Sequence, residues 1–177
     1  MAENVLIVVD YQKDFVTGAL GFPAARAIEQ AVCRKIQDRK AEGYDIIFTF
    51  DTHGEDYLST REGKGLPVPH CLRGEAGWEL YGEAAELLHL GMGFEKSQFG
   101  SFELARYLQE KKYRRVELIG VVTQICVLSA AVLAQAALPE SEIWVDAACC
   151  ASPDQKLEEA ALDVMEGLQI RVANRRA

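Results

Sequence analysis

Basic residues never gather in this chain: no Lys/Arg block is longer than a pair, and 19 Lys and Arg stand against 27 Asp and Glu for a net charge of -8. That balance excludes nucleic acid and anionic membrane surfaces as natural partners. No apolar run approaches the ~20 residues that span a bilayer. Met1-Ala2-Glu3-Asn4 leads straight into a strand, without the charged-then-apolar pattern of a secretory leader. Cysteine is sparse and odd in number, five in all and without metal-knuckle spacing. Reduced thiols in a cytoplasmic protein are therefore expected, not a disulfide framework. Cys149 and Cys150 are adjacent and would close only a strained ring, so both read as thiols. A Walker A sequence and a Gly-rich strand-to-helix turn are both missing, which leaves nucleotide binding without support. There is no internal repeat, low-complexity stretch or composition break, so residues 1–177 read as a single domain, large enough to bury a core.

What is present alternates between two periods. Val5-Leu6-Ile7-Val8-Val9 is a continuous apolar run ending in Asp10, the pattern of a parallel strand buried on both faces. Residues 45–50, 116–119, 142–145 and 169–172 read as further strands. Helical patterns cover Ala24 to Glu42, stopped by Gly43, then Ser101 to about Lys112, and Val127 to Leu138. Ser152-Pro153-Asp154 opens a last helix that ends near Gly167. Trp78 to Leu90 suggests one short helix, and Phe94-Glu95-Lys96 fits neither period. From Gly54 to Gly77 no period is visible, and so long a loop is usually functional. Strand–helix alternation predicts an α/β fold: a three-layer α-β-α arrangement around a mostly parallel sheet. Ligands in such folds bind beyond the carboxyl ends of the strands.

Three groups fall on that rim. Asp10 ends the first strand, where a buried carboxylate is either a local cap or a paired, working group. Cys126 stands where a strand hands over to a helix, so it is either a small packed residue or a thiol lowered by the helix N-terminal field. Lys96 lies in an aromatic loop flanked by glycines, and a solvated lysine is the ordinary reading there. Taken together, an acid, a cation and a thiol form a set that activates a nucleophile. Asp51 and His53, with Glu62 and His70 further along the loop, supply the ligand types of a divalent metal site; His53 and His70 as simple loop hydrogen bonders are the alternative. His89 sits in an apolar helical context and reads as structural.

Four stretches then carry a resemblance: Val8 to Phe15, Asp51-Thr52-His53, Lys96 to Phe102 and Gly120 to Val127. In order and spacing the chain resembles the isochorismatase-like cysteine hydrolase superfamily, and within it the nicotinamidases, from about Asn4 to Val172. The resemblance implies a Rossmann-like hydrolase fold and a triad of Asp10, Lys96 and Cys126. It also implies a cis peptide between Val121 and Val122, with the N–H groups of Val122 and Cys126 forming an oxyanion hole. It implies Asp51, His53, His70 and Glu62 as ligands of a divalent metal, zinc first, with manganese or iron as alternatives, and Phe15 as a partner for a substrate ring. The activity implied is hydrolysis of a small-molecule amide, nicotinamide to nicotinate and ammonia, through a Cys thioester in nicotinamide recycling toward NAD. Another amidase or carbamoyl hydrolase acting on a non-pyridine substrate is the alternative, and a homo-oligomer is expected. Two departures stand out. Gln124 takes a place the family commonly gives to Asp, and Leu66-Pro67-Val68-Pro69 is aliphatic where relatives often offer an aromatic wall.

Overall fold

The computed structural model describes residues 2–175. Strand β1 (Asn4–Val9) leads through the short helices α1 (Lys13–Val16) and α2 (Pro23–Ala27) into α3 (Glu29–Ala41) and β2 (Asp45–Asp51). A long excursion carrying α4 (Arg61–Gly65) and α5 (Gly82–Glu86) returns to β3 (Met92–Lys96), and α6 (Phe102–Lys111) follows. Then come β4 (Arg115–Val121), α7 (Leu128–Ala137), β5 (Glu142–Ala151), α8 (Gln155–Gly167) and β6 (Arg171–Ala173). All strand pairs are parallel, in the order β3-β2-β1-β4-β5-β6.

The apolar run of β1 is explained by its central place in that order. Val5, Ile7 and Val9 pack into one core with Leu104 and Leu108 of α6, Ala131 and Ala134 of α7, and Leu162 and Met165 of α8. Leu6 and Val8 point the other way, into a second core with Ala25 of α2, Val32 and Ile36 of α3, and Ala84 of α5. The two cores make the three layers expected from the strand–helix alternation. Because β1 pairs with both β2 and β4, the winding reverses at that seam, and the carboxyl ends of β1 and β4 open side by side.

Several elements differ from the periodicity. The helix read over 24–42 is two: Ile28 closes α2 and opens α3 with its side chain in the core, a change of direction that apolar spacing does not record. The helix expected from Val127 begins at Leu128, after a π-type turn over Thr123–Val127. Phe94-Glu95-Lys96 belongs to the edge strand β3, whose partial exposure blurs its pattern. β5 runs on to Ala151, so Cys149 and Cys150 are strand residues; the five cysteines are buried and form no disulfide among the described residues. The stretch 54–77 is not structureless, since it holds α4, two single-turn 3-10 segments and a bridge between His53 and Leu72. The 78–90 segment reduces to α5 and a further 3-10 turn. The last strand starts at Arg171 and not at Gln169, because Gln169 turns with φ of 67°.

Candidate active site

Asp10 leaves β1 with φ of 46°, in the left-handed region that Asp tolerates better than most residues. Its carboxyl is fully buried. Thr49, its neighbour across β2, donates its hydroxyl to Oδ1 at 2.6 Å. Lys96, at the end of β3, places Nζ 2.7 Å from Oδ2. The same Nζ donates to the Gln98 carbonyl at 3.0 Å and to Cys126 Sγ at 3.6 Å. The ends of β1 and β3 and the turn after β4 thus bring Asp10, Lys96 and Cys126 together on one rim.

Burial sets the protonation of this set. It pushes the Asp10 carboxyl up from its ordinary value even against the Lys96 charge. It works the other way on Lys96, but Asp10, Cys126 and Asp51 outweigh it, and the amine stays an ammonium. The Cys126 thiol is raised well above its ordinary value by burial and by the Asp10 charge, with Lys96 pulling down. Cys126 sits in the turn before α7, where burial opposes the lowering expected from a helix terminus.

Asp51 ends β2 and faces two ways. Its Oδ1 lies 3.7 Å from Lys96 Nζ, while Oδ2 lies 3.0 Å from His53 Nε2 and 3.4 Å from His70 Nε2. Against the upward pull of burial, hydrogen bonds from both histidines and the Lys96 charge hold this carboxyl well below the usual carboxylate range. Glu62, on α4, brings Oε1 to 3.7 Å from His53 Nε2 and 3.9 Å from His70 Nε2. The donor atoms of Asp51, His53, Glu62 and His70 all lie within 4.8 Å of one another. His70 Nδ1 is held by the Val68 carbonyl at 2.8 Å, which leaves Nε2 to face the cluster. Two imidazoles and two carboxylates, three of the four residues buried, are a donor set that fits a divalent cation.

The support of this cluster was not visible in the residue pattern. The Gln12 side-chain amide accepts from the Asp51 N–H at 2.8 Å and donates to the carbonyls of Asp51 at 2.9 Å and Trp78 at 2.7 Å, clamping the end of β2. Tyr57 packs its ring on both His53 and His70, with centroids 4.7 and 5.0 Å apart. Gln12 stands among polar neighbours between Asp10 and Asp14, and nothing local marks either it or Tyr57. His89 is exposed, bonds the Glu86 carbonyl at 2.6 Å and takes no part.

Between the cluster and the thiol lies a cavity of about 200 Å³. Asp51, Glu62 and His70 line one side, and Val122 and Cys126 the other. Phe15 lines it too and meets the His70 ring edge-on at 5.6 Å. Leu66 supplies the expected aliphatic wall, but aromatic surface arrives from elsewhere, through Phe22 and Phe99. Those two, with Leu20, Ile125 and Pro153, come from four separate segments, so no sequence motif joins them. The Val121–Val122 peptide is cis. Gln124 is half-buried, with its Oε1 buried and without a hydrogen-bond partner among the described residues.

A parallel sheet with this rim and thiol defines a family, and the "Isochorismatase domain" profile matches residues 4–176; the chain belongs to that family. It is similar to the Bacillus subtilis (strain 168) protein described as uncharacterized isochorismatase family protein PncA, at 30% identity over 73% of this chain and 77% of that one. It resembles the crystal structure of nicotinamidase PncA from Bacillus subtilis, with 29% identity, a TM-score of 0.87, and 97% and 99% of the two chains covered. The pyrazinamidase of Pyrococcus horikoshii in complex with zinc superimposes with a TM-score of 0.85 at 30% identity, covering 98% of this chain and 99% of that one.

Proposed function

We propose that this protein is a metal-binding nicotinamidase that hydrolyses nicotinamide to nicotinate and ammonia through a thioester on Cys126. The observation that carries the reading is the shared cavity, with a thiol–carboxyl–ammonium set on one wall and a four-donor metal-type cluster on the other. The nicotinamidase and pyrazinamidase names of the structural relatives support the substrate class.

The chemistry follows from the contacts of Asp10, Lys96 and Cys126. Asp10 accepts the Cys126 proton as Sγ attacks the carboxamide carbon, and the Lys96 ammonium offsets the charge that moves onto the pair. The backbone N–H groups of Val122 and Cys126 receive the developing oxyanion. Asp10 returns the proton to the departing amine, so ammonia leaves and the acyl group stays on sulfur. Asp10 then takes a proton from the attacking water, the C–S bond breaks, and the thiol is restored as the carboxylate leaves. Phe15 and Leu66 flank the ring and exclude water from the thioester. Asp51, His53, Glu62 and His70 would hold a divalent metal, zinc first; its contribution is a positively charged docking point for a ring nitrogen. Orientation is then the role of that wall, and positioning of this kind is worth several kcal/mol of barrier.

The test is ammonia release from nicotinamide by zinc-reconstituted protein, beside His53→Ala. Turnover is expected from the parent, with reduced zinc content and a raised KM in the variant. A parent inert on nicotinamide but active on a non-pyridine amide would overturn the substrate, and a fully metallated, fully active variant would overturn the ligand assignment.

A further inference from the structure

The loop after β3 carries a residue with a foot in each half of the site. The main-chain carbonyl of Gln98 accepts from Lys96 Nζ at 3.0 Å. Its side chain reaches the first turn of α4 instead. There Oε1 accepts from Arg61 Nη2 at 2.9 Å, and Nε2 donates to Glu62 Oε2 at 3.3 Å. This orientation is forced: a guanidinium only donates and an ionised carboxylate only accepts, so the amide must turn its oxygen to one and its nitrogen to the other. The loop itself is seated firmly, since a Cβ at Gly100 would come within 2.4 Å of Leu133 Cδ1, and Ser101 caps α6 through the Leu104 N–H at 3.1 Å.

The two oxygens of Glu62 are thereby divided. Oε2 is taken by Gln98, while Oε1 faces His53 and His70. Glu62 rides on a helix of five residues in a long excursion, so little else fixes its carboxylate plane. We propose that Gln98 is a positioning residue that holds Glu62 with Oε1 toward Asp51, His53 and His70, and so raises the affinity of that cluster for a divalent cation. The proposal rests on the metal reading above.

The test measures zinc affinity of the full chain by competition with a chromophoric chelator. Parent, Gln98→Ala, Gln98→Glu, Glu62→Ala and the double variant Glu62→Ala/Gln98→Ala are compared, with the rate of Cys126 alkylation by iodoacetamide followed in the same samples. Loss of a group that orients a metal ligand typically weakens binding ~10–100-fold, and because Gln98 is exposed to competing water a loss of about tenfold is expected for Gln98→Ala. Gln98→Glu keeps the size and the acceptor for Arg61 but sets a second carboxylate against Oε2, so its loss should be at least as large. Alkylation of Cys126 should be unchanged, and adding Gln98→Ala to Glu62→Ala should cost nothing further. Unchanged affinity in Gln98→Ala, or the same loss in the Glu62→Ala background, would overturn the proposal alone. A parent that takes up no zinc would overturn the metal reading, and the proposal with it.

Discussion

Lys96 Nζ lies 2.7 Å from Asp10, 3.6 Å from Cys126 and 3.7 Å from Asp51, so a single ammonium faces all three groups. Lys96→Met keeps most of the side-chain length and removes that charge. Asp10 is then a fully buried carboxylate without a cation, a situation that costs on the order of 3–5 kcal/mol unless the group takes up a proton. A protonated Asp10 cannot accept the thiol proton, so turnover should fall ~10²–10⁴-fold, the usual worth of a general base. The sign of the pH dependence follows: the folded-state carboxyl is raised, so its cost is absent at low pH and grows as pH rises. Urea unfolding should show the variant further below the parent at pH 7.5 than at pH 5, and an equal gap at both would contradict the charge argument. Asp10 was legible in the sequence because it ends an apolar strand pattern, where a polar group needs a reason, and Cys126 because it stands where a strand hands over to a helix. The enclosure of Cys126 was not, since it comes from distant segments and not from its place before a helix.

The passage from β4 into α7 is the element that presents the thiol, and its geometry is set by Gly120. There φ is +115°, and a Cβ would stand 2.1 Å from the Val9 carbonyl oxygen of the neighbouring strand. Gly120→Ala is expected to destabilise by several kcal/mol, since both strain and a backbone clash are involved. A chemical denaturation midpoint within error of the parent would refute this. On the opposite side, Lys112 closes α6 in the left-handed region with φ of 57° and is exposed, so Lys112→Gly should stabilise by roughly 1 kcal/mol. The central strands β1, β2 and β4 were readable because burial on both faces leaves an uninterrupted apolar run. Edge and boundary elements were not: β3 is half exposed, the α2–α3 break is made by one core side chain, and the far end of β5 continues through Cys149-Cys150 past a register shift between Leu118 and Gly120.

Across the whole molecule, burial keeps several weak acids protonated. It pushes the Cys33 thiol up to about 11, and raises Cys71, Cys150, Tyr11 and Tyr113 as well. In an unfolded chain such thiols titrate near ~8.5 and the phenols near ~10, so above pH 8 the unfolded state binds fewer protons than the fold. Stability therefore falls as pH climbs, and the urea midpoint should be lower at pH 9.5 than at pH 7.5; a midpoint that holds or rises would contradict it. At this scale the sheet and its rim followed from strand–helix alternation, and the reversal at the β1–β4 seam explains why Asp10 and Cys126 meet. The cavity walls did not follow, because Phe22, Phe99, Ile125 and Pro153 converge only through the tertiary fold. The central claim is that one thiol in this cavity forms and releases the acyl group. Ammonia release from nicotinamide should therefore be measured with zinc-reconstituted parent and Cys126→Ala, alongside nicotinamide binding to both. Steady release by the parent, none by the variant, and binding by both are predicted; release by Cys126→Ala at the parent's rate would contradict the account.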